Sequence, residues 1–134
     1  MGTRCLTHVM DLKGEPIITL YRQSDGYQDG HGSELKEFLE IQIMTNGLSN
    51  DNQNLANGMS CLAAKLVSHF KTKPGGFYLH KSGSSDLGED YTYTVYPSND
   101  QDDTTLSLKV ESYSDELFNG LVSDYTATDN YADD

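Results

Sequence analysis

The feature that most constrains the fold is an apolar stripe in the middle of the chain, followed at once by a stop signal. The stripe residues are spaced i, i+3, i+4, i+7 and i+11, so they line one face of a helix. They are Met59, Leu62, Ala63, Leu66 and Phe70. Pro74-Gly75-Gly76 ends the pattern, as is typical just beyond a helix. The sequence therefore predicts an amphipathic helix that needs a second layer to cover its apolar face.

Strand-like runs lie on both sides of this helix. Residues 3–10 and 16–23 are rich in β-branched and aromatic side chains and flank a polar turn containing Gly14, which predicts a β-hairpin. Ser33 is a candidate N-cap for a short helix whose apolar positions are Leu35, Phe38 and Leu39. Four further runs predict strands near residues 77–80, 91–96, 104–113 and 117–122.

This order, ββααβββ(β), predicts an α+β fold with an antiparallel sheet and both helices packed on one face. The length of 134 residues fits one domain. We expect that domain to span residues 1–122. Residues 123–134 carry four aspartates and few apolar groups, so we expect an acidic, solvated and disordered tail.

The formal net charge of −12 is distributed unevenly. Residues 1–51 carry eight acids and four bases, residues 52–85 carry four lysines and no acid, and residues 86–134 carry thirteen acids and one lysine, which gives −4 + 4 − 12 = −12. An acidic coat argues against direct nucleic-acid binding and for a basic protein partner. The acid-free segment is the part of the chain best suited to an anion, although solubility alone also explains acidic loops.

The two cysteines, Cys5 and Cys61, predict no disulfide framework and favour a reducing compartment. The N-terminus has no apolar leader, and no apolar run approaches the roughly 20 residues that span a bilayer. We therefore expect a cytoplasmic protein without a membrane segment.

Residues 24–32 form the most unusual local feature, with three glycines and two aspartates between a strand and a helix. Backbone N–H groups at such a bend suit an anion, whereas Asp-Gly turn chemistry gives an equally simple explanation. Arg4 and Arg22 lie on the two strands of the hairpin and would grip a phosphate or carboxylate if they shared a face. Pairing of these arginines with nearby acids is the competing interpretation. The candidate binding residues are Arg4, Tyr21, Arg22, Asp25, Gly26, Tyr27, Gly30, His31, Asn57, Lys71 and Tyr78.

Metal and cofactor chemistry find little support in the sequence. Asp25, Asp29 and Gly30 fit three positions of an EF-hand loop, but Lys36 falls where the bidentate acid is required. We expect no metal and no cofactor. If the chain is an enzyme, His31 with Asp25 is the best acid–base pair, although no complete catalytic constellation is visible.

Several blocks, in order, resemble a group of small uncharacterised proteins encoded by bacteriophages and prophages. They are Gly2-Thr3-Arg4, Tyr21-Arg22-Gln23, Asp25-Gly26-Tyr27, Gly30-His31-Gly32, Asn57-Gly58-Met59, Cys61-Leu62-Ala63, His69-Phe70-Lys71 and Gly75-Gly76-Phe77-Tyr78. The likeness covers about residues 2–96, and the group typically has Pro at the position of Gln28. The resemblance implies an accessory protein in the host bacterial cytoplasm. It carries over no activity.

Three functions remain open from the sequence. The first is a non-enzymatic protein that counteracts host defence by sequestering a small phosphorylated or nucleotide-like ligand, in a pocket that a homo-oligomer interface would help to form. The second is an acidic, DNA-mimicking inhibitor of a basic host nucleic-acid-binding or defence protein. The third is a small enzyme that uses His31 and Asp25. Binding is favoured over catalysis because no nucleophile, base and orienter occur together.

Overall fold

A computed structural model describes residues 2–45, 54–99 and 102–127 of the chain. Its strands are β1 (Cys5–Met10), β2 (Pro16–Arg22), β3 (Ile43–Thr45), β4 (Leu55–Asn57), β5 (Phe77–His80), β6 (Tyr91–Asn99), β7 (Asp102–Ser112) and β8 (Asp115–Leu121). Its helices are α1 (Ser33–Glu40) and α2 (Gly58–Phe70), with a π-helical turn at Gln28–Gly32 and a 3₁₀ turn at Val122–Asp124. The α+β prediction is confirmed.

Six strands form one sheet in the order β5-β2-β1-β6-β7-β8. Every neighbouring pair is antiparallel except β1 and β6, which run parallel. The parallel pair arises because β6 does not follow β5 in space. Residues 81–90 instead carry the chain back across the sheet to the free side of β1. The short strands β3 and β4, which the sequence did not predict, form a separate parallel pair.

Both helices pack on one face of the sheet. One apolar cluster joins Leu35 of α1 and Leu62 of α2 to the inward side chains Val9, Val95 and Leu108. All five residues of the apolar stripe in α2 are buried, so the predicted amphipathic face is confirmed. The core therefore lies between the sheet and the two helices.

The first helix begins differently from the prediction. Ser33 is not an N-cap, because the preceding residue Gly32 already has helical dihedrals and the π-helical turn runs directly into α1. Glu34 does lie in the first turn of α1, where a negative charge is favourable. The π-helical turn matters for the site because it carries His31 into the core.

The predicted solvated tail is wrong for its first part. Val122–Asp124 form a 3₁₀ turn, and the Tyr125 side chain is fully buried against Phe118, with centroids 5.1 Å apart. The Tyr125 hydroxyl donates to Gln28 Oε1 at 2.9 Å. The domain therefore extends past residue 122, and residues 128–134 of the predicted tail lie outside the described residues.

None of the helices in the described part of the chain is both long and apolar enough to cross a membrane.

Candidate functional site

The structure brings two other predicted binding residues, His31 and Asp25, next to Arg22. Arg22 is the last residue of β2 and pairs with Cys5 on one side and Phe77 on the other. Its side chain therefore points toward the helices, where it is only 12% exposed. The guanidinium lies over the Phe77 ring, 4.9 Å from the centroid, which supplies a cation–π contact.

His31 lies beside Arg22 and is completely buried. Its Nε2 is 2.7 Å from Thr7 Oγ1 and its Nδ1 is 3.1 Å from Arg22 Nη1. A guanidinium can only donate, so Nδ1 must accept and the ring proton must sit on Nε2. The neutral ring therefore donates to Thr7, and both of its nitrogens are occupied by the protein itself.

The environment keeps this histidine neutral. Burial, and to a smaller extent the Arg22 charge, lower the pKa of His31 from 6.5 to about 3. Phe70 and Tyr93 contact the ring, with centroids 4.9 and 5.0 Å away. A general acid–base residue needs access to a substrate and a pKa near the working pH, and His31 has neither. The geometry gives His31 a structural role, and the Asp25 carboxylate contacts Arg22 instead of the imidazole.

Two carboxylates neutralise the Arg22 charge. Glu34 Oε1 accepts a 2.8 Å hydrogen bond from Nη1, and Asp25 Oδ2 lies 4.0 Å from Nη2. The interpretation that Arg22 pairs with the chain's own acids is therefore correct. Any external anion at Arg22 would have to compete with both groups.

The buried histidine makes a testable contribution to the pH dependence of stability. Between pH 6.5 and about 3 the unfolded chain binds a proton at residue 31 that the folded chain does not, so stability falls as the pH falls through this window. One such proton changes the free energy of unfolding by up to about 1.4 kcal/mol per pH unit. Urea unfolding at pH 6.5 and pH 5, above the range in which most carboxylates titrate, should show a loss of roughly 1.6 kcal/mol, because the unfolded histidine is already half protonated at pH 6.5.

The matched variant for this prediction is His31→Gln, which keeps one donor and one acceptor. Its slope between pH 6.5 and 5 should be markedly smaller. A residual slope is expected from His8, whose pKa is lowered by burial and partly restored by Glu89 and Glu111. An unchanged slope in His31→Gln would show that His31 is not held neutral.

The glycine loop does not form the predicted anion cradle. The N–H of Gly26 donates to Thr3 O at 2.9 Å, that of Gly30 to Tyr27 O at 3.0 Å, and that of His31 to Asp25 O at 2.8 Å. These donors are therefore satisfied inside the protein. The Gly26 carbonyl accepts a hydrogen bond from the buried Tyr93 hydroxyl at 2.8 Å. Hydrogen bonds therefore hold the loop against Thr3, just before β1, and against β6.

The predicted convergence of Arg4 and Arg22 is also wrong. Arg22 shares a face with its partner Cys5, and Arg4, as the neighbour of Cys5, belongs to the opposite face. The Arg4 backbone is fixed by Asp90, whose Oδ2 accepts its N–H at 3.0 Å. Arg4 and Arg22 accordingly line different depressions of the surface.

The remaining predicted residues do not join Arg22, although Lys71 and Tyr78 meet: Lys71 Nζ lies 5.3 Å from the centroid of the Tyr78 ring. Tyr21 and Tyr78 are neighbours, with centroids 6.3 Å apart, but they lie on the face away from Arg22. The Tyr27 hydroxyl instead faces Asp25 Oδ1 at 3.5 Å. Lys71 Nζ donates to Gly75 O and Phe77 O at 3.0 and 2.8 Å, and Asn57 precedes α2 at the far end from Phe70.

A groove of about 400 Å³ lies next to Arg22. Its walls come from the end of α2, the turn that follows it and the loop after β2, and they include Asp25, Lys73, Gly75 and Gly76. The groove thus combines two cations with one carboxylate and two glycines. Two of the predicted binding residues, Arg22 and Asp25, line this groove.

The sequence did not identify the buried polar partners of this site. Thr7, Gln28 and Tyr93 are all buried and hydrogen-bonded to groups remote in sequence, 24, 97 and 67 positions away. Alternation in β1 could have placed Thr7 on the inner face with Cys5 and Val9. Nothing local marks Gln28 or Tyr93 as partners of a distant loop.

An acidic patch lies at the end of the sheet where the loop 81–90 meets the β7–β8 turn. It consists of Asp86, Glu89, Asp90, Glu111, Asp115 and Glu116. Three of these acids line a depression of about 470 Å³ together with Tyr113, which is 81% exposed. The Tyr113 hydroxyl donates to Asp90 Oδ1 at 2.9 Å, and this contact raises the pKa of Tyr113.

The patch places like charges against each other. Glu111 and Glu116 are direct partners across β7 and β8, an arrangement that destabilises a sheet. Lys109 offsets part of this repulsion through a 3.6 Å ion pair with Glu111. Arg4 lies beside this depression, because a Cβ added at Gly88, one of its lining residues, would be 3.2 Å from Arg4 Nη1.

Within residues 2–45, 54–99 and 102–127, no group of three or more His, Cys, Asp or Glu side chains is placed to share a metal ion. Both Cys5 and Cys61 are free thiols. No family model, curated protein or solved structure matches the chain.

Proposed function

We propose that this chain is a non-catalytic binding protein whose acidic patch docks on a basic protein. The observation that carries the proposal is the facing pair Glu111–Glu116 beside the depression lined by Asp86, Glu89 and Asp90. Like charges held together cost stability in the free protein. A cationic partner would relieve that repulsion on binding, which favours a docking role for the patch.

The charge distribution supports the same interpretation. Residues 86–134 carry thirteen of the 21 acids and a single lysine. Concentrated negative potential accelerates encounter with a positively charged surface and repels nucleic acid. A protein that normally binds nucleic acid has such a positive surface, so the patch would occupy the place of its natural ligand.

The resemblance to small bacteriophage proteins supplies the biological setting of the proposal. In that setting the chain acts in the cytoplasm of an infected bacterium, and the partner is a host nucleic-acid-binding or defence protein. Occupation of its basic surface would block access to nucleic acid.

The experiment compares two triple variants with equal charge change. The patch variant carries Asp86→Asn, Glu89→Gln and Glu116→Gln, and the control variant carries Glu15→Gln, Glu37→Gln and Glu40→Gln, all at exposed positions away from the patch. Immobilised wild-type chain is used to capture a protein from bacterial extract, and the purified protein is then titrated with each variant. We expect at least a tenfold loss of affinity for the patch variant and little change for the control.

A second readout tests the mode of action. Wild-type chain should displace a DNA duplex from the captured protein, and its affinity should fall as salt rises. Equal affinities for the two triple variants, or a captured protein without a basic surface, would contradict the proposal.

The groove beside Arg22 favours a second candidate function, the binding of a small phosphorylated ligand. Arg22 and Lys73 supply two cations there, and Gly75 and Gly76 allow close approach to the backbone. Equilibrium titration with inorganic phosphate and with a nucleoside monophosphate, monitored by amide chemical shifts of Gly75 and Gly76, tests it. Lys73→Ala should abolish any shift, whereas the patch variant should leave it intact.

A further inference from the structure

The two free edges of the six-stranded sheet have opposite charge. β5 and β8 are its end strands, and in the described part of the chain each is paired on one side only. The basic edge is β5: Lys81 follows it directly, Lys71 donates to its Phe77 carbonyl, and Lys73 lies in the turn that precedes it, all inside the segment 52–85, which has no acid. The acidic edge is β8, which begins with Asp115 and Glu116.

Both edges also expose apolar side chains. Eight large apolar residues are exposed in the described chain, and four of them lie on these two strands. They are Tyr78 and Leu79 on β5, exposed by 47% and 58%, and Leu117 and Leu121 on β8, exposed by 44% and 40%. An edge strand with exposed apolar groups is a template for pairing with another chain.

The strand directions allow the two edges to meet without inversion. β5 is antiparallel to β2, and β2 is antiparallel to β1, so β5 is parallel to β1. In the same way β8 is parallel to β6, which is itself parallel to β1. A second copy in the same orientation would therefore bring its β5 beside β8 as a parallel pair. Tyr78 and Leu121 both lie on the face away from the helices, so they would be on the same side of the joined sheet.

We propose that β5 of one copy pairs with β8 of the next and that the chain assembles head to tail through these edges. The occupant of each edge is thus a second copy, and the opposite charges of the two edges identify it. Parallel self-pairing of β8 would bring Asp115 and Glu116 beside the same residues of the other copy, and antiparallel self-pairing would place them beside its Gly120 and Leu121. Neither symmetric arrangement therefore gains the attraction between opposite charges that the head-to-tail arrangement gains.

The net charge of −12 makes two copies of the chain repel each other, but this repulsion does not prevent association. Repulsion between distant charges is screened beyond about 8 Å at physiological ionic strength, whereas paired strands are only about 4.8 Å apart. The Phe77 carbonyl already accepts a hydrogen bond from Lys71, so a second copy can pair only with Tyr78–His80 of β5. A contact this short predicts weak, concentration-dependent assembly, and a head-to-tail interface continues until it closes into a ring or grows as an open chain.

A charge-swap experiment tests this inference by self-association of the purified chain, a measurement in which no basic host protein takes part. Its failure is therefore distinguishable from failure of the proposed function, even though Asp115 and Glu116 also belong to the acidic patch. The acid-edge variant carries Asp115→Lys and Glu116→Lys, and the base-edge variant carries Lys73→Glu and Lys81→Glu. Sedimentation velocity over a concentration series gives the average mass of each. Wild type should increase in mass with concentration, and each variant alone should associate at least tenfold more weakly.

The mixture of the two variants is the decisive sample. Every edge in the mixture finds an opposite charge on the other variant, so assembly should return to the wild-type level. Circular dichroism and thermal unfolding establish that each variant is folded. If a reversed variant is unfolded, the neutral versions Asp115→Asn with Glu116→Gln, and Lys73→Gln with Lys81→Gln, replace it, and each should weaken association.

A wild-type mass that stays monomeric at every concentration would overturn the inference. So would undiminished association of folded single-edge variants, or a mixture of folded reversed variants that stays monomeric.

Discussion

Replacement of Tyr125 by alanine is expected to destabilise the fold by about 3–5 kcal/mol, the range found for large aromatic side chains removed from a core. The side chain is fully buried, packs on Phe118 and donates its hydroxyl to Gln28. Its loss would leave a cavity between the 3₁₀ turn and the sheet and would remove the buried hydrogen bond to Gln28. Equilibrium unfolding in urea, followed by circular dichroism, measures the change.

Two companion variants show where this effect comes from. Tyr113→Ala removes a tyrosine that is 81% exposed and should cost less than about 1 kcal/mol. Tyr125→Phe keeps the ring and removes only the hydroxyl, so it should cost about 0.5–1.5 kcal/mol, the net contribution of one hydrogen bond. A Tyr125→Ala variant as stable as wild type would mean that residues 123–127 do belong to a solvated tail.

The tail shows one limit of reasoning from sequence. Its composition is that of a solvated segment, and the packing of Tyr125 depends on Gln28, a residue 97 positions away. By contrast, the stripe of α2 was predictable because helical periodicity is local and all five of its residues face one core. Long-range contacts have no comparable local pattern.

The separation of Arg4 and Arg22 has a simple geometric cause. In a regular hairpin that continues from the pair Met10–Pro16, the partner of Arg22 would be Arg4, and the two would share a face. The register instead shifts by one residue between Val9 and Met10, so that Arg22 pairs with Cys5. A one-residue bulge exchanges the faces of every later side chain, and nothing in the sequence marks it.

The same shift explains the buried polar cluster. It turns Arg22 inward, beneath Phe77 and beside His31, where Glu34 and Asp25 balance its charge. The sequence places Arg22, Asp25 and His31 among the candidate binding residues but not Glu34 or Phe77. It does not show that these five side chains would satisfy one another.

Gly26 is the second position where a small change should have a large effect. A methyl group added there would lie 2.8 Å from the Arg4 carbonyl carbon and 2.9 Å from the Cys5 nitrogen, and backbone atoms cannot move aside as a flexible side chain can. The hydrogen bonds from Gly26 N to Thr3 O and from Tyr93 to Gly26 O would have to lengthen together.

We therefore expect Gly26→Ala to lower the free energy of unfolding by about 3 kcal/mol or more, at the upper end of the range for overpacking. Gly120→Ala is the matched control, because its nearest atom is the Phe118 ring at 3.4 Å and its backbone needs no positive φ. That control should stay within about 1 kcal/mol of wild type, since alanine costs less conformational entropy in a strand than glycine. Equal stabilities of the two alanine variants would mean that the glycine loop is not sealed against β1, and its N–H groups would then be free to meet an anion after all.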